Sequence, residues 1–189
     1  MIKAIHRLMV VSLLLITVVI TAGCGGSSGS TTDLNTVYLT VSPTSNRLEA
    51  DVLTGNSCTT LGGAFETESI PITVTSTPYT NATVKSPITI NSIMISYSKY
   101  DITSAAPALP IQYDTGFTIN PGTSLPINVN VATDKLKYDM VNSYGFNLCS
   151  ADYWEYDVTI MFIGVEDFTG KSVSISTKVK VAFADRENV

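Results

Sequence analysis

The chain has 189 residues, with 11 Lys and Arg against 16 Asp and Glu for a formal net charge of −5, and this length suits one domain with a sizeable core. The acidic balance argues against nucleic acid as a partner, because phosphate neutralisation needs clustered Lys and Arg. The only histidine is His6, so Ser-His-Asp, Cys-His and histidine-ligated metal sites are excluded from the rest of the chain.

Lys3 and Arg7 precede an uncharged run from Leu8 to Ile20, and the small residues Thr21, Ala22 and Gly23 follow it. A basic start, a short apolar stretch and small residues read as a secretory signal over residues 1–23, not as a structural helix. A membrane-spanning anchor needs about 20 apolar residues, and Leu8 to Ala22 supplies fifteen. Cys24 comes directly after the small residues, and Thr21-Ala22-Gly23-Cys24 resembles the lipobox of bacterial lipoproteins. That resemblance implies cleavage before Cys24, acylation of Cys24, and a protein held to the membrane through its N-terminal lipid. An ordinary cleaved signal is the alternative, since the family most often has leucine where Thr21 stands. Gly25 in place of aspartate implies, by the same resemblance, sorting to the outer membrane. The processed chain has 166 residues and 9 Lys and Arg against 16 Asp and Glu, a net charge of −7. Such a body is repelled by an anionic membrane surface.

With Cys24 acylated, Cys58 and Cys149 are left as a pair in an oxidising compartment. A bond between them closes a loop of about 90 residues and stabilises the fold by at most roughly 4–5 kcal/mol. Two separate free thiols are the alternative, and they are a liability outside the cytoplasm. Two thiols with no histidine and no CxxC spacing make a poor zinc site, so neither a metal nor a cofactor is expected.

Residues 24–34 combine the cysteine with a Gly/Ser-rich stretch that reads as a flexible tether. Residues 35–189 read as one β-sandwich domain. Val37, Leu39 and Val41 share a face, and Pro43 ends that run. Leu48, Ala50 and Val52 alternate with Arg47, Glu49 and Asp51. Ile70, Ile72 and Val74 alternate around Pro71, which predicts an edge strand or a strand start. Ile88 and Ile90 lie on one parity while Ile93, Ile95 and Tyr97 lie on the other, which predicts a bulge or a crossing between sheets. Phe117 with Ile119, and Ile127, Val129 and Val131, give two further runs. Residues from Thr133 to Asn142, with Leu136, Met140 and Val141, predict one short helical turn. The clearest pattern comes last. Trp154, Tyr156, Val158, Ile160 and Phe162 alternate with mostly polar neighbours, and so do Val173, Ile175, Thr177, Val179, Val181 and Phe183. These are two half-buried strands of an antiparallel hairpin, with Gly170 supplying a positive φ in the turn.

About eight strands with closely spaced turn signals predict an all-β fold, a single antiparallel two-sheet sandwich. Over roughly residues 35–185 this texture resembles an immunoglobulin-like or fibronectin-like module, with the final hairpin resembling its last two strands. Cys58 and Cys149 lie in or beside loops and Trp154 follows the second cysteine, so the resemblance implies the sandwich without an antibody-type core.

Candidates for chemistry are few. No Ser-x-x-Lys set, Gly-x-Ser-x-Gly elbow or phosphate loop is present, and the chain is expected to be non-enzymatic. Asp152, Glu155 and Asp157 gather at the start of one strand as weak calcium candidates, with Asp101 and Asp114 on loops. Glu166 and Asp167 lie at its far end, about 30 Å away, and a solvated acidic rim explains both groups. Tyr97, Tyr100, Tyr113, Tyr138, Tyr144 and Tyr153 fall near strand ends or loops, where exposed rings stack on sugars or anchor a protein. Trp154 and Tyr156 share the apolar parity and belong to the core. The expected protein is an outer-membrane lipoprotein presenting a β-sandwich for protein binding or adhesion at the cell envelope. A structural or assembly subunit paired through an edge strand, and a carbohydrate-binding module, are the alternatives.

Overall fold

The computed structural model describes residues 29–30, 36–55, 62–101, 106–149 and 153–186. Its elements in chain order are β1 (Gly29–Ser30), β2 (Val37–Pro43), β3 (Arg47–Asp51), β4 (Glu68–Pro78), β5 (Ile88–Lys99), β6 (Gln112–Ile119), β7 (Ser124–Ala132), α1 (Asp134–Asn142), β8 (Tyr153–Glu166) and β9 (Ser172–Ala184). They form two sheets, β1-β2-β4-β7 and β3-β9-β8-β5-β6. The chain is thus an all-β two-sheet sandwich, as its alternating runs predict. Val158, Ile160 and Phe162 of β8 and Val173, Ile175 and Val181 of β9 are buried between the layers. Burying each such side chain contributes about 1.5–3 kcal/mol. Tyr156 sits at the centre of this layer, edge-on to Tyr97 at 6.1 Å and to Phe183 at 6.0 Å between ring centroids.

One pairing departs from the antiparallel expectation. The run containing β2 and β3 leaves the first sheet after Pro43 and joins the second, where β3 lies parallel to β9. Ser45 makes the crossing turn, its Oγ accepting the Arg47 N–H at 3.2 Å and donating to the Arg47 carbonyl at 2.6 Å. A second departure concerns the predicted tether. Gly29 and Ser30 pair with Val41 and Thr40 as β1, because the open edge of β2 offers backbone groups that any residue can satisfy. A third concerns Pro71. β4 is an inner strand, but Pro71 stands opposite Thr44, just past the end of β2, and its carbonyl accepts the Thr44 N–H at 2.9 Å. The missing proline N–H therefore falls where the ladder has already stopped.

The parity switch in β5 is a bulge. Ile90 pairs with Gly164 and Ser92 with Ile163, so Asn91 is the extra residue. The bulge returns Ile93 and Ile95 to the buried side already occupied by Ile88 and Ile90. Helix formation exceeds the single predicted turn. Residues Asp134–Asn142 form a nine-residue helix started by Thr133, whose Oγ1 accepts the Leu136 N–H at 3.2 Å.

Candidate ligand cleft between strand β6 and helix α1

Helix α1 is held on the sandwich by a buried charge. Lys137 is fully buried, and its Nζ meets Glu68 Oε1 at the start of β4 at 2.7 Å. The same Glu68 oxygen accepts the Asp51 N–H at 2.9 Å, so one carboxylate ties α1, β3 and β4 together. Leu136 and Met140 complete the buried face of the helix. Thr67 Oγ1 accepts the Asp134 N–H at 3.1 Å. At the other end Gly145 takes φ 79°, and the Phe146 N–H reaches the Met140 carbonyl at 2.9 Å. Phe146 then packs edge-on against Trp154 at 4.9 Å. The residue before that glycine is Tyr144, which this turn fixes beside the helix.

Across from α1, the start of β6 presents Ile111, Gln112 and Tyr113. Between the two lies a cleft of about 640 Å³, with Asp134, Asp139 and Tyr144 on the helix side. That volume is within the range of roughly 300–1,000 Å³ usual for small-ligand sites. Tyr113 is 68% exposed, Ile111 52% and Tyr144 37%. Lys135 is bound to Asp139 at 2.7 Å, which pushes its pKa up. Asp134 Oδ1 accepts the Lys135 N–H at 2.7 Å. Thr133 Oγ1 reaches Gln112 Oε1 at 3.4 Å, and among the described residues the Gln112 amide nitrogen has no partner. A smaller hollow of about 360 Å³ adjoins the cleft across Asp134 and Lys135, bounded by Phe65 and Tyr138. Those two rings meet edge-on at 5.6 Å.

The six tyrosines singled out in the sequence therefore separate. Tyr113 and Tyr144 share the cleft, and Tyr138 borders the neighbouring hollow. Tyr97 is no surface ring: its hydroxyl donates to the Val131 carbonyl at 2.9 Å, and burial pushes its pKa up. Tyr156, assigned to the core, is buried there and donates to the Pro107 carbonyl at 3.0 Å. Tyr100 and Tyr153 are exposed on the outer face of the five-stranded sheet, where cations already engage them. Lys180 Nζ lies 3.3 Å from the Tyr100 ring centre, and Arg47 donates to the Tyr153 hydroxyl. Ile111, Gln112, Asp134, Asp139 and Phe65 escaped the sequence reading, because nothing in their spacing ties a strand start to a helix that far along the chain.

Among the described residues the acidic candidates do not converge. Glu155 pairs with Arg47 at 2.6 Å and Asp157 stands opposite Lys180 in the ladder. Asp152 lies outside the described residues. Asp114 is in β6 rather than on a loop, and its carboxylate accepts the N–H groups of Thr115 at 2.8 Å and Asn130 at 3.2 Å. Glu166 is not on a solvated rim: it is fully buried at the end of β8, accepting the hydroxyls of Thr36 and Thr169. Among the described residues no group of three or more His, Cys, Asp and Glu is placed to hold a metal ion. Cys24 and Cys58 lie outside the described residues. Cys149 is disulfide-bonded, and its N–H donates to Asp185 at 2.5 Å; its partner is not among the described residues.

Asp51, next to the Lys137–Glu68 pair, has its pKa raised above 3.8, chiefly by burial and further by Asp185 and Glu68, against the opposing effects of the Arg186 N–H and Lys137. The folded state then binds more protons than the unfolded chain just above that value, so this group's contribution to stability falls as pH rises through the window. Asp51→Asn is expected to gain stability over the unmodified protein near pH 7 and to lose that advantage near pH 3. Urea unfolding at both pH values checks this, and an equal difference at the two would remove the assignment.

No protein-family model, no curated protein and no solved structure matches the chain.

Proposed function

We propose that this protein is an exported, lipid-anchored and non-enzymatic binding module of the cell envelope, which meets its ligand through the cleft between β6 and α1. The cleft carries this reading: two exposed tyrosines and several polar groups converge between a strand start and a capped helix on a rigid two-sheet scaffold. Binding sites commonly form where a scaffold holds loops and element ends in this way. An immunoglobulin-like assignment is supported by the strand order. On that reading β2, β4 and β7 would correspond to strands A, B and E, and β9, β8 and β5 to G, F and C. The lipobox at Thr21-Ala22-Gly23-Cys24 supports the anchor. Four residues, 25–28, separate Cys24 from β1, a span of about 17 Å from Cys24 to Gly29 when extended, so the acyl chains would hold the sandwich close to the bilayer. A disulfide from Cys149 to Cys58 fits the oxidising compartment that export implies.

Cys24→Ser should move the protein from the membrane fraction to the soluble fraction of the cell. The unmodified chain, alkylated without reduction, should show no reactive thiol. A Cys24→Ser protein that still needs detergent for release would sink the lipid anchor, and two alkylated cysteines would sink the bridge.

A further inference from the structure

We infer that the cleft binds an uncharged oligosaccharide, which lies across the first turn of α1 and reaches both the Tyr113–Tyr144 hollow and the Phe65–Tyr138 hollow. This assignment rests on the reading of the chain as a binding module and adds its ligand class.

Charge narrows the choice first. Asp134 and Asp139 face one lysine, and that lysine is already engaged by Asp139. The excess of carboxylate disfavours phosphate, sulfate and acidic sugars, since like charges in one site repel. Shape narrows it next. A pyranose offers a face of C–H groups and a rim of hydroxyls. Tyrosine rings carry a negative π-face that attracts such C–H groups, and Tyr113 and Tyr144 supply two of them in one cleft. The rim hydroxyls need both donors and acceptors. Among the described residues, the Gln112 amide nitrogen and the two tyrosine hydroxyls have no hydrogen-bond partner, and Asp134 Oδ2 and Asp139 Oδ1 remain as acceptors. The second aromatic hollow shares Asp134 and Lys135 with the first, which favours a chain of sugars over a single ring.

Isothermal titration of the full chain, held in a detergent without a sugar headgroup, tests this with gluco-, manno-, galacto- and N-acetylglucosamine oligomers of two to six units. At least one series is expected to bind, and more tightly as its length grows. Tyr113→Ala should weaken every oligomer of that series about tenfold, on the order of a lost ring-stacking contact. Tyr138→Ala should weaken only the longer ones. All three tyrosines are exposed, and an unchanged melting temperature shows that the variants are folded. Silence across the panel would overturn the assignment, and so would a Tyr113→Ala/Tyr144→Ala protein that binds like the unmodified one. If the panel is silent while Cys24→Ser still releases the protein, the sugar assignment fails and the anchored module stands.

Discussion

Glu68→Ala is expected to lower the unfolding free energy by about 3 kcal/mol, the cost of stranding a buried charge. Lys137 is fully buried and Glu68 is its ionic partner at 2.7 Å, while the Glu68 side chain keeps 28% exposure. The partly wet carboxylate weakens the pair somewhat, so the lower part of the usual range applies. Removal leaves the Lys137 ammonium without its hydrogen-bonded carboxylate, with Asp51 as the remaining negative charge nearby, and deprives the Asp51 N–H of its acceptor. Lys137→Met is the informative contrast. It keeps the apolar stem and deletes the charge, and Glu68 retains access to water, so the loss should stay below about 1.5 kcal/mol. Urea denaturation of both variants checks the pair; a Glu68→Ala protein within 1 kcal/mol of the original would show that the ion pair does not hold the helix. Because α1 forms one wall of the cleft, Glu68→Ala should also weaken the proposed oligosaccharide binding, although Glu68 is not part of that wall.

Gly164→Ala should cost about 3 kcal/mol or more through backbone collision. Gly164 of β8 and Gly116 of β6 flank the β5 bulge from its two neighbouring strands. A Cβ on Gly164 would lie 2.1 Å from the Thr89 carbonyl oxygen, and one on Gly116 would lie 1.8 Å from that of Ile90. Neither oxygen belongs to a flexible side chain, so strands must separate for the methyl to fit. At about 2–4 °C per kcal/mol for a chain of this size, the melting temperature should drop by some 6–12 °C. Gly170→Ala separates collision from backbone conformation. Nothing lies within 4 Å of its Cβ position, but its φ is +66°. That substitution should cost only about 1 kcal/mol, and equal losses at 164 and 170 would remove the steric explanation.

The two glycines also show where a sequence stops being informative. Ile88, Ile90, Ile93 and Ile95 announce a bulge or a crossing between sheets by their change of parity, and the pairing makes it a bulge that brings both pairs to the same core. Which neighbouring residues must then be glycine depends on register, and register comes from pairings up to nearly eighty residues apart. The buried Glu166 reads as a turn residue for a related reason. It keeps the even parity of the β8 stripe, and that parity overrode its charge once Thr36 and Thr169 supplied hydroxyls. The nine-residue helix looked like a single turn because much of its stability comes from burying Leu136, Lys137 and Met140 on the sandwich.

Strands β2 to β9, the final hairpin, the parity switch within β5 and the core roles of Trp154 and Tyr156 were all determined by local alternation, which depends only on near neighbours along the chain. The parallel docking of β3 on β9, the anchoring of α1 by Glu68, and the meeting of Tyr113 with Tyr144 were decided by the tertiary structure alone. Each joins segments far apart in the chain, and no periodicity within one segment encodes which distant side chain will face it.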